Sequence, residues 1–294
     1  MNAIDQDNRS EVRDEQGFAV HVLRNEQVEL VVVPELGARI ISLKNLRSGR
    51  EWMWHPPGGL KLFRNRAGDD FASGPLAGMD ECLPTIAPCS WQGRELPDHG
   101  EVWAVPWEVD EAAWEAGALK TSTKLEISPL AFERTIELHD NEVQLGYQLK
   151  NLGAEDELYL WAMHPLLRFQ DGDQLQLPPC VRSRPANEQW LNPVASAVPE
   201  GGCAKVFFRP IQIGSAGVYN RNTGDRLDFA WAPDENDTLG LWLTLGGWHG
   251  HHHLALEPTN AAHDALALAA EGDRCGVVEA GGTKEWNVSL RVGP

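Results

Sequence analysis

The 294-residue chain is long enough to bury a sizeable core, and its 42% hydrophobic content is that of a globular protein. Its formal net charge of −18 repels phosphate backbones and anionic headgroups, which argues against nucleic-acid and membrane partners. Neutral polar ligands suit this balance best, although a few local arginines could still hold a sugar phosphate. The cysteines, Cys82, Cys89, Cys180, Cys203 and Cys275, are odd in number and lack CxxC spacing, against a disulfide framework or a cysteine-based zinc site.

The N-terminal stretch is polar and acidic, without the apolar centre of a signal peptide. No run approaches the roughly 18 apolar residues of a membrane helix. A cytoplasmic protein is the expectation, with a flexible N-terminus over 1–17 and a single domain over 18–294.

Period-two alternation then dominates. Strands are expected at Phe18–Leu23, Val28–Val33, Arg39–Leu46 and within TKLEIS, where Leu125 and Ile127 alternate with Lys124 and Glu126. Further strands are expected at Phe132–Leu138, Glu142–Lys150, Glu157–Met163, Lys205–Ile213, Gly240–Leu245 and Glu285–Val292. One short helix is expected near Ala261–Ala270. Turn residues such as Asp140-Asn141 and Gly281-Gly282 separate the strands. The pattern is all-β, a large antiparallel sandwich or barrel with few short helices. Two segments, Glu51–Leu96 and Pro178–Gly202, are too long for hairpins and are candidates to carry function.

Three stretches carry chemistry: LPDHGEVW with His99, LWAMHPLLRF with His164, and WHGHHHLALEPT with Glu257. Alone, His99 reads as a surface-turn residue and His164 as a core histidine bonded to a carbonyl. Glu257 is sharper, because a carboxylate inside an apolar run must be paired or kept neutral. If this run is extended, His249, His251, His253 and Glu257 share one face while Leu254 and Leu256 point into the core. A glutamate among histidines suits acid–base work near neutral pH. The twelve tryptophans fit either core filling or a sugar cleft.

In this order, DHG, HP and LALEP resemble the aldose 1-epimerase (galactose mutarotase-like) superfamily. The opening VELVVVPELGARIISLKNLRSGREWMW and the closing GGTKEWNVSLRV resemble its usual start and end, so the likeness runs from about Phe18 to Val292. The resemblance implies a large antiparallel β-sandwich with a sugar cleft and an isomerase that interconverts α and β anomers. It implies Glu257 as general base, His164 as general acid and His99 as the group polarising the ring oxygen. It also points to Arg39, Asp80 and Glu81 as cleft residues. Trp248 and His253, with Trp54 a further stacking candidate, complete the expected substrate-binding set. No metal or redox cofactor is implied, and the partner is a small sugar, met by a monomer or homodimer. The GEVW segment after the first histidine departs from the aromatic and arginine of hexose-6-phosphate mutarotases, and HGHHH is not a general family feature.

Other readings stay open at this level. His251, His253 and Glu257 have part of the spacing of a cupin-type metal site, although the framing glycines are missing. A carbohydrate-binding module without turnover would share the fold. Arg64 and Arg66 could clamp a sugar phosphate or simply face solvent.

Overall fold

The alternating segments pair into strands along the whole chain. The computed structural model describes residues 8–178, 198–272 and 274–294. The first strands are β1 (Arg9–Glu15), β2 (Phe18–Arg24), β3 (Val28–Val33), β4 (Arg39–Asn45), β5 (Met79–Cys82), β6 (Cys89–Trp91) and β7 (Arg94–Leu96). After β8 (Glu108–Val109) and the short α1 (Glu111–Glu115) come β9 (Leu119–Lys124), β10 (Leu130–His139) and β11 (Glu142–Asn151). Next are β12 (Glu157–Tyr159), β13 (Ala162–Pro165), β14 (Asp173–Gln176), β15 (Gly202–Phe208), β16 (Gly214–Asn220), β17 (Arg226–Trp231), β18 (Thr238–Leu245) and β19 (His252–Thr259). The chain closes with α2 (Leu266–Ala270), β20 (Gly276–Val278) and β21 (Thr283–Gly293).

Nine strands form one sheet in the order β1-β2-β3-β4-β5-β13-β19-β18-β15. Eight form the other, in the order β14-β16-β17-β21-β11-β10-β9-β8. All named pairings are antiparallel, so the fold is the large β-sandwich with few short helices that the alternation predicts. No described helix is long and apolar enough to cross a membrane.

Strand parity decides what fills the space between the sheets. Leu239, Leu241, Leu243, Leu254, Leu256 and Met163 from the nine-stranded sheet pack with Phe132, Leu145, Val288 and Leu290 of the other in one core. Their neighbours in sequence, Gly240, Trp242, His253, Glu257 and His164, therefore occupy the opposite face. A smaller apolar cluster involving Cys82, Ile86, Ala162 and Leu266 seats α2 against that outer face.

Several local expectations need correction. Leu125–Ser128 lies beyond the end of β9, and Ile127 is exposed rather than facing a core with Leu125. The expected strand Glu157–Met163 is two strands, because β12 pairs with β20 while β13 joins the large sheet. Residues 9–15, placed in a floppy terminus by their charge, form β1 through backbone bonding to β2. The helix near Ala261–Ala270 is reduced to α2. Much of the candidate functional segment Pro178–Gly202, and Cys180 with it, lies outside the described residues.

One polar cluster joins the two sheets. Glu81 on β5 accepts hydrogen bonds from Arg134 Nη1 at 2.9 Å, Tyr147 Oη at 3.0 Å and Trp161 Nε1 at 2.9 Å. Arg134 also donates to the Ala38 carbonyl. Both charged side chains are fully buried, so each depends on the other for compensation. Arg134→Met is expected to cost about 3–5 kcal/mol in urea unfolding, because it strands a carboxylate in the core. A loss below about 1 kcal/mol would show that the cluster does not hold the sheets together.

Candidate active site

The outer face of the large sheet carries a row of residues set by strand register. Ala162 of β13 pairs with Thr259 of β19, and Leu167 bridges Leu254 in the same register. His164 therefore stands across from Glu257. On one side His164 pairs with Asp80 of β5, and on the other Glu257 pairs with Gly240 of β18. Directly opposed antiparallel residues have close Cβ atoms, so their side chains meet. His164 Nε2 is 3.7 Å from Glu257 Oε1.

His99 arrives from outside the sheet. It sits in the turn Pro97–Gly100 with φ of 57°, a left-handed conformation uncommon for a residue with a side chain. The turn is held by His99 N–H donating to Ile86 O at 2.6 Å and Glu101 N–H donating to Leu83 O at 2.7 Å. Gly100 follows with φ of 77°, and a Cβ there would strike the Leu83 backbone. Asp98 Oδ1 lies 2.9 Å from His99 Nδ1, and its other oxygen accepts from Phe71 N–H at 2.8 Å. The Phe71 ring stacks on His99 at 3.9 Å, which fixes the imidazole plane. The ring centres of His99 and His164 are 5.1 Å apart.

A cavity of about 230 Å³ opens over this row. Its walls include Phe71, Asp98, His99, His164, Lys205, Trp242, Trp248, His253 and Asp264. Glu257 is fully buried behind His164 and Lys205. The volume lies a little below the usual range for small-molecule sites, and the mixture of aromatic walls with a few convergent polar groups is usual for them.

Burial acts in opposite directions on the two central groups. Glu257 is pushed above the ordinary glutamate value by burial, opposed by the charge and hydrogen bond of Lys205. His164 is pushed well below the ordinary histidine value by burial, helped by the positive fields of His99, Lys205, His253 and Arg39. The two affinities for a proton move toward one another, which suits a pair that must hand a proton back and forth through a ligand. Asp98 is the reverse case. Burial disfavours its charge, but the hydrogen bond and charge of His99 and the backbone N–H groups of Phe71 and His99 outweigh it and hold it low.

The structure brings together Glu257, His164, His99, His253 and Trp248 among the residues singled out in the sequence. Arg39, Asp80 and Glu81 do not line the cavity. Arg39 Nε donates to Asp80 Oδ1 at 2.7 Å with both side chains buried, and Glu81 faces the core. Polar residues in apolar strands look alike in sequence whether they meet a ligand or each other. Trp54 is buried against the rings of His251 and His253 and lines a neighbouring cleft. Arg64 and Arg66 are exposed, with Arg64 paired to Glu35. The histidines do not converge on a metal-sized point. The rings of His251 and His253 are 6.2 Å apart, His253 Nε2 accepts from Trp242 Nε1 at 3.1 Å, and Glu257 is engaged by Lys205. Among the described residues no group of three or more His, Cys, Asp or Glu could hold a metal ion.

Sequence reasoning missed Lys205, Asp264, Phe71 and Trp242. Lys205 had a signal, a lone charge in the apolar strand GGCAKVFF, but nothing in the sequence connects it to Glu257.

Comparisons with known proteins come down on the fold. No protein-family model matches the chain, and no curated protein matches it in sequence. Solved structures do match in shape. A galactose mutarotase-like protein from Clostridium acetobutylicum superposes with a TM-score of 0.73 at 11% identity, over 98% of this chain and 99% of that one. A galactose mutarotase related enzyme from Lactobacillus acidophilus gives 0.67 at 13%, over 94% and 97%. A TPR-domain containing protein from Parabacteroides distasonis gives 0.67 at 12%, over 94% of this chain but 48% of that one. The chain has the galactose mutarotase-like sandwich fold. At these identities the likeness stops at the fold, and the same sandwich recurs as part of a larger protein of another description.

Burial of the His253 imidazole makes stability acid-sensitive. His253 is lowered to about 3, by burial first and then by the fields of His251 and His252. Between its unfolded value of about 6.5 and that folded value, the unfolded chain binds a proton that the native state refuses. Stability is therefore lost as pH falls through this window, by about 2 kcal/mol between pH 7 and pH 5 for this residue. His253→Gln, which keeps an acceptor for Trp242, should flatten the fall in unfolding free energy by about that amount. Equal acid sensitivity in the variant would show that His253 titrates freely.

Proposed function

We propose that this protein is a mutarotase of the aldose 1-epimerase type, interconverting the α and β anomers of an aldose by opening and closing its ring. The observation that carries this reading is the pair at the cavity floor. Glu257 Oε1 is buried and accepts no hydrogen bond among the described residues, and His164 Nε2 lies 3.7 Å from it. A sugar entering between His164 and Lys205 would meet a base and an acid side by side.

The reaction needs one proton between these two groups. Glu257 takes the proton of the anomeric hydroxyl O1 while His164, as imidazolium, gives one to the ring oxygen O5. The C1–O5 bond breaks and leaves the open-chain aldehyde. Rotation about C1–C2 presents the other carbonyl face, and the transfers reverse to close the opposite anomer. Each residue ends in the state in which it began. His99 is held through Nδ1 by Asp98, and its Nε2, which has no hydrogen-bond partner among the described residues, is available to the ring oxygen. Trp242, Trp248 and Phe71 supply the apolar surface that a pyranose ring stacks on, and Asp80, bonded to Arg39, flanks His164 on the neighbouring strand.

A well-placed proton-transfer group contributes about 10²–10⁴-fold. Polarimetry with freshly dissolved α-D-glucose and α-D-galactose should show Glu257→Gln losing about that factor in kcat while remaining folded. His164→Asn should lower kcat far more than it raises KM, since its contribution is made mainly in the transition state. His99→Ala should weaken binding or rate. Full activity in Glu257→Gln would remove the assignment. A carbohydrate-binding protein without turnover would instead retain sugars and leave their anomerisation at the rate in water.

A further inference from the structure

Glu257 has a partner that its own strand does not supply. Lys205 lies on β15, which pairs with β18, which pairs in turn with β19. A side chain on the middle strand would ordinarily separate the outer two. At this level the middle strand carries Gly240, paired with Glu257 on one side and Phe207 on the other. A Cβ at Gly240 would lie 2.9 Å from Glu257 Oε2 and 3.1 Å from Glu257 Cβ. The missing side chain leaves a gap, and Lys205 spans it to donate to Glu257 Oε2.

The ammonium is held from other directions too. Asp264 Oδ1 lies 3.5 Å from Nζ, and the Phe207 ring lies 5.3 Å from it. The Lys205 side chain is 17% exposed and lines the cavity, so it is a fixed charge at the wall rather than a surface lysine. The consequence for Glu257 is an asymmetry. Oε2 is tied to Lys205, while Oε1 has no hydrogen-bond partner and faces His164.

We propose that Lys205, reaching through the gap at Gly240, is the positioning residue that keeps Glu257 ionised and turns Oε1 toward the substrate. Its effect on turnover rests on the mutarotase reading of the site, whereas its effect on the carboxyl does not. The groups facing Glu257 are His164 from β13, Cys82 from β5, His99 from its turn, Asp264 from the segment before α2, and Lys205. Among the described residues Lys205 is the one that both bonds the carboxylate and carries a permanent positive charge. Asp264 opposes it, and burial favours the neutral acid. Removing the ammonium leaves a buried carboxyl beside another carboxylate, a setting that protonates it.

The test compares the wild-type protein with Lys205→Met and Lys205→Arg, each checked for folding by circular dichroism. Difference infrared spectra against the matching Glu257→Gln protein isolate the titration of this one carboxyl. In Lys205→Met its midpoint should rise by at least about one pH unit, and Lys205→Arg should restore it. Polarimetry on α-D-glucose and α-D-galactose should show the acidic limb of kcat/KM moving with it. For a one-unit rise the loss grows as pH falls and approaches about tenfold below both midpoints, carried by kcat with KM unchanged. If Lys205→Met does not fold, Lys205→Gln, which keeps a donor but no charge, is read in the same way. An unmoved carboxyl midpoint in a folded, uncharged variant overturns the proposal whatever the activity. A raised midpoint in a protein that turns over no aldose supports the ion pair and removes the mutarotase reading instead.

Discussion

Register across the large sheet is the constraint from which the site follows. Asp80, His164, Glu257 and Gly240 stand side by side on four adjacent strands, β5, β13, β19 and β18. Arg39 extends the row on β4, bonded to Asp80, and Phe207 closes it on β15. Because side chains alternate between faces, a slip of one residue in β19 would drive Glu257 into the core and a leucine into the cavity. The apolar residues at intervening positions, Met163, Leu254, Leu256, Leu239 and Leu241, set the cost of such a slip. Packing between the sheets thus fixes positions on the face that does not touch the other sheet.

Buried charge gathers on this row and on the inward face of β5 beside it, and each charge is answered differently. Asp80 has Arg39, and Glu81 has Arg134 with two further donors. Both oxygens of Glu81 are bonded, whereas Asp80 is bonded to Arg39 through Oδ1 and its Oδ2 has no hydrogen-bond partner among the described residues. Glu257 is answered on one oxygen only, by Lys205, and the second is left for whatever enters. A half-satisfied buried carboxylate is costly for stability and useful for chemistry, which is the usual compromise at a working site. His164 beside it, whose charged form burial disfavours, belongs to the same compromise.

Much of this was legible in the residues themselves. Period two in LALEPT placed Leu254 and Leu256 inward and His253 and Glu257 outward, and the all-β sandwich followed from the same alternation. The histidines were visible as polar residues that apolar strands do not need. What could not be read was the order of strands, since β5, β13, β19, β18 and β15 are neighbours in space and scattered in sequence. Lys205 and Glu257 are 52 residues apart, and only the sheet joins them. The same gap explains why Arg39, Asp80 and Glu81 read as ligand-facing. Their polarity was evident, but the partners that occupy them, Arg134 and Tyr147 among them, come from the other sheet or from a strand whose neighbour was unknown.

The central claim is that the cavity opens and closes an aldose ring. Two-dimensional exchange NMR on the wild-type protein, with D-glucose, D-galactose and their 6-phosphates each at anomeric equilibrium, tests it most directly. The spectrum reads interconversion of the α and β anomeric protons without any net reaction. The account predicts cross-peaks between the two anomers of at least one aldose that are absent without the protein and absent with Glu257→Gln. Anomeric signals that broaden on binding yet show no exchange, for every aldose offered, would contradict it.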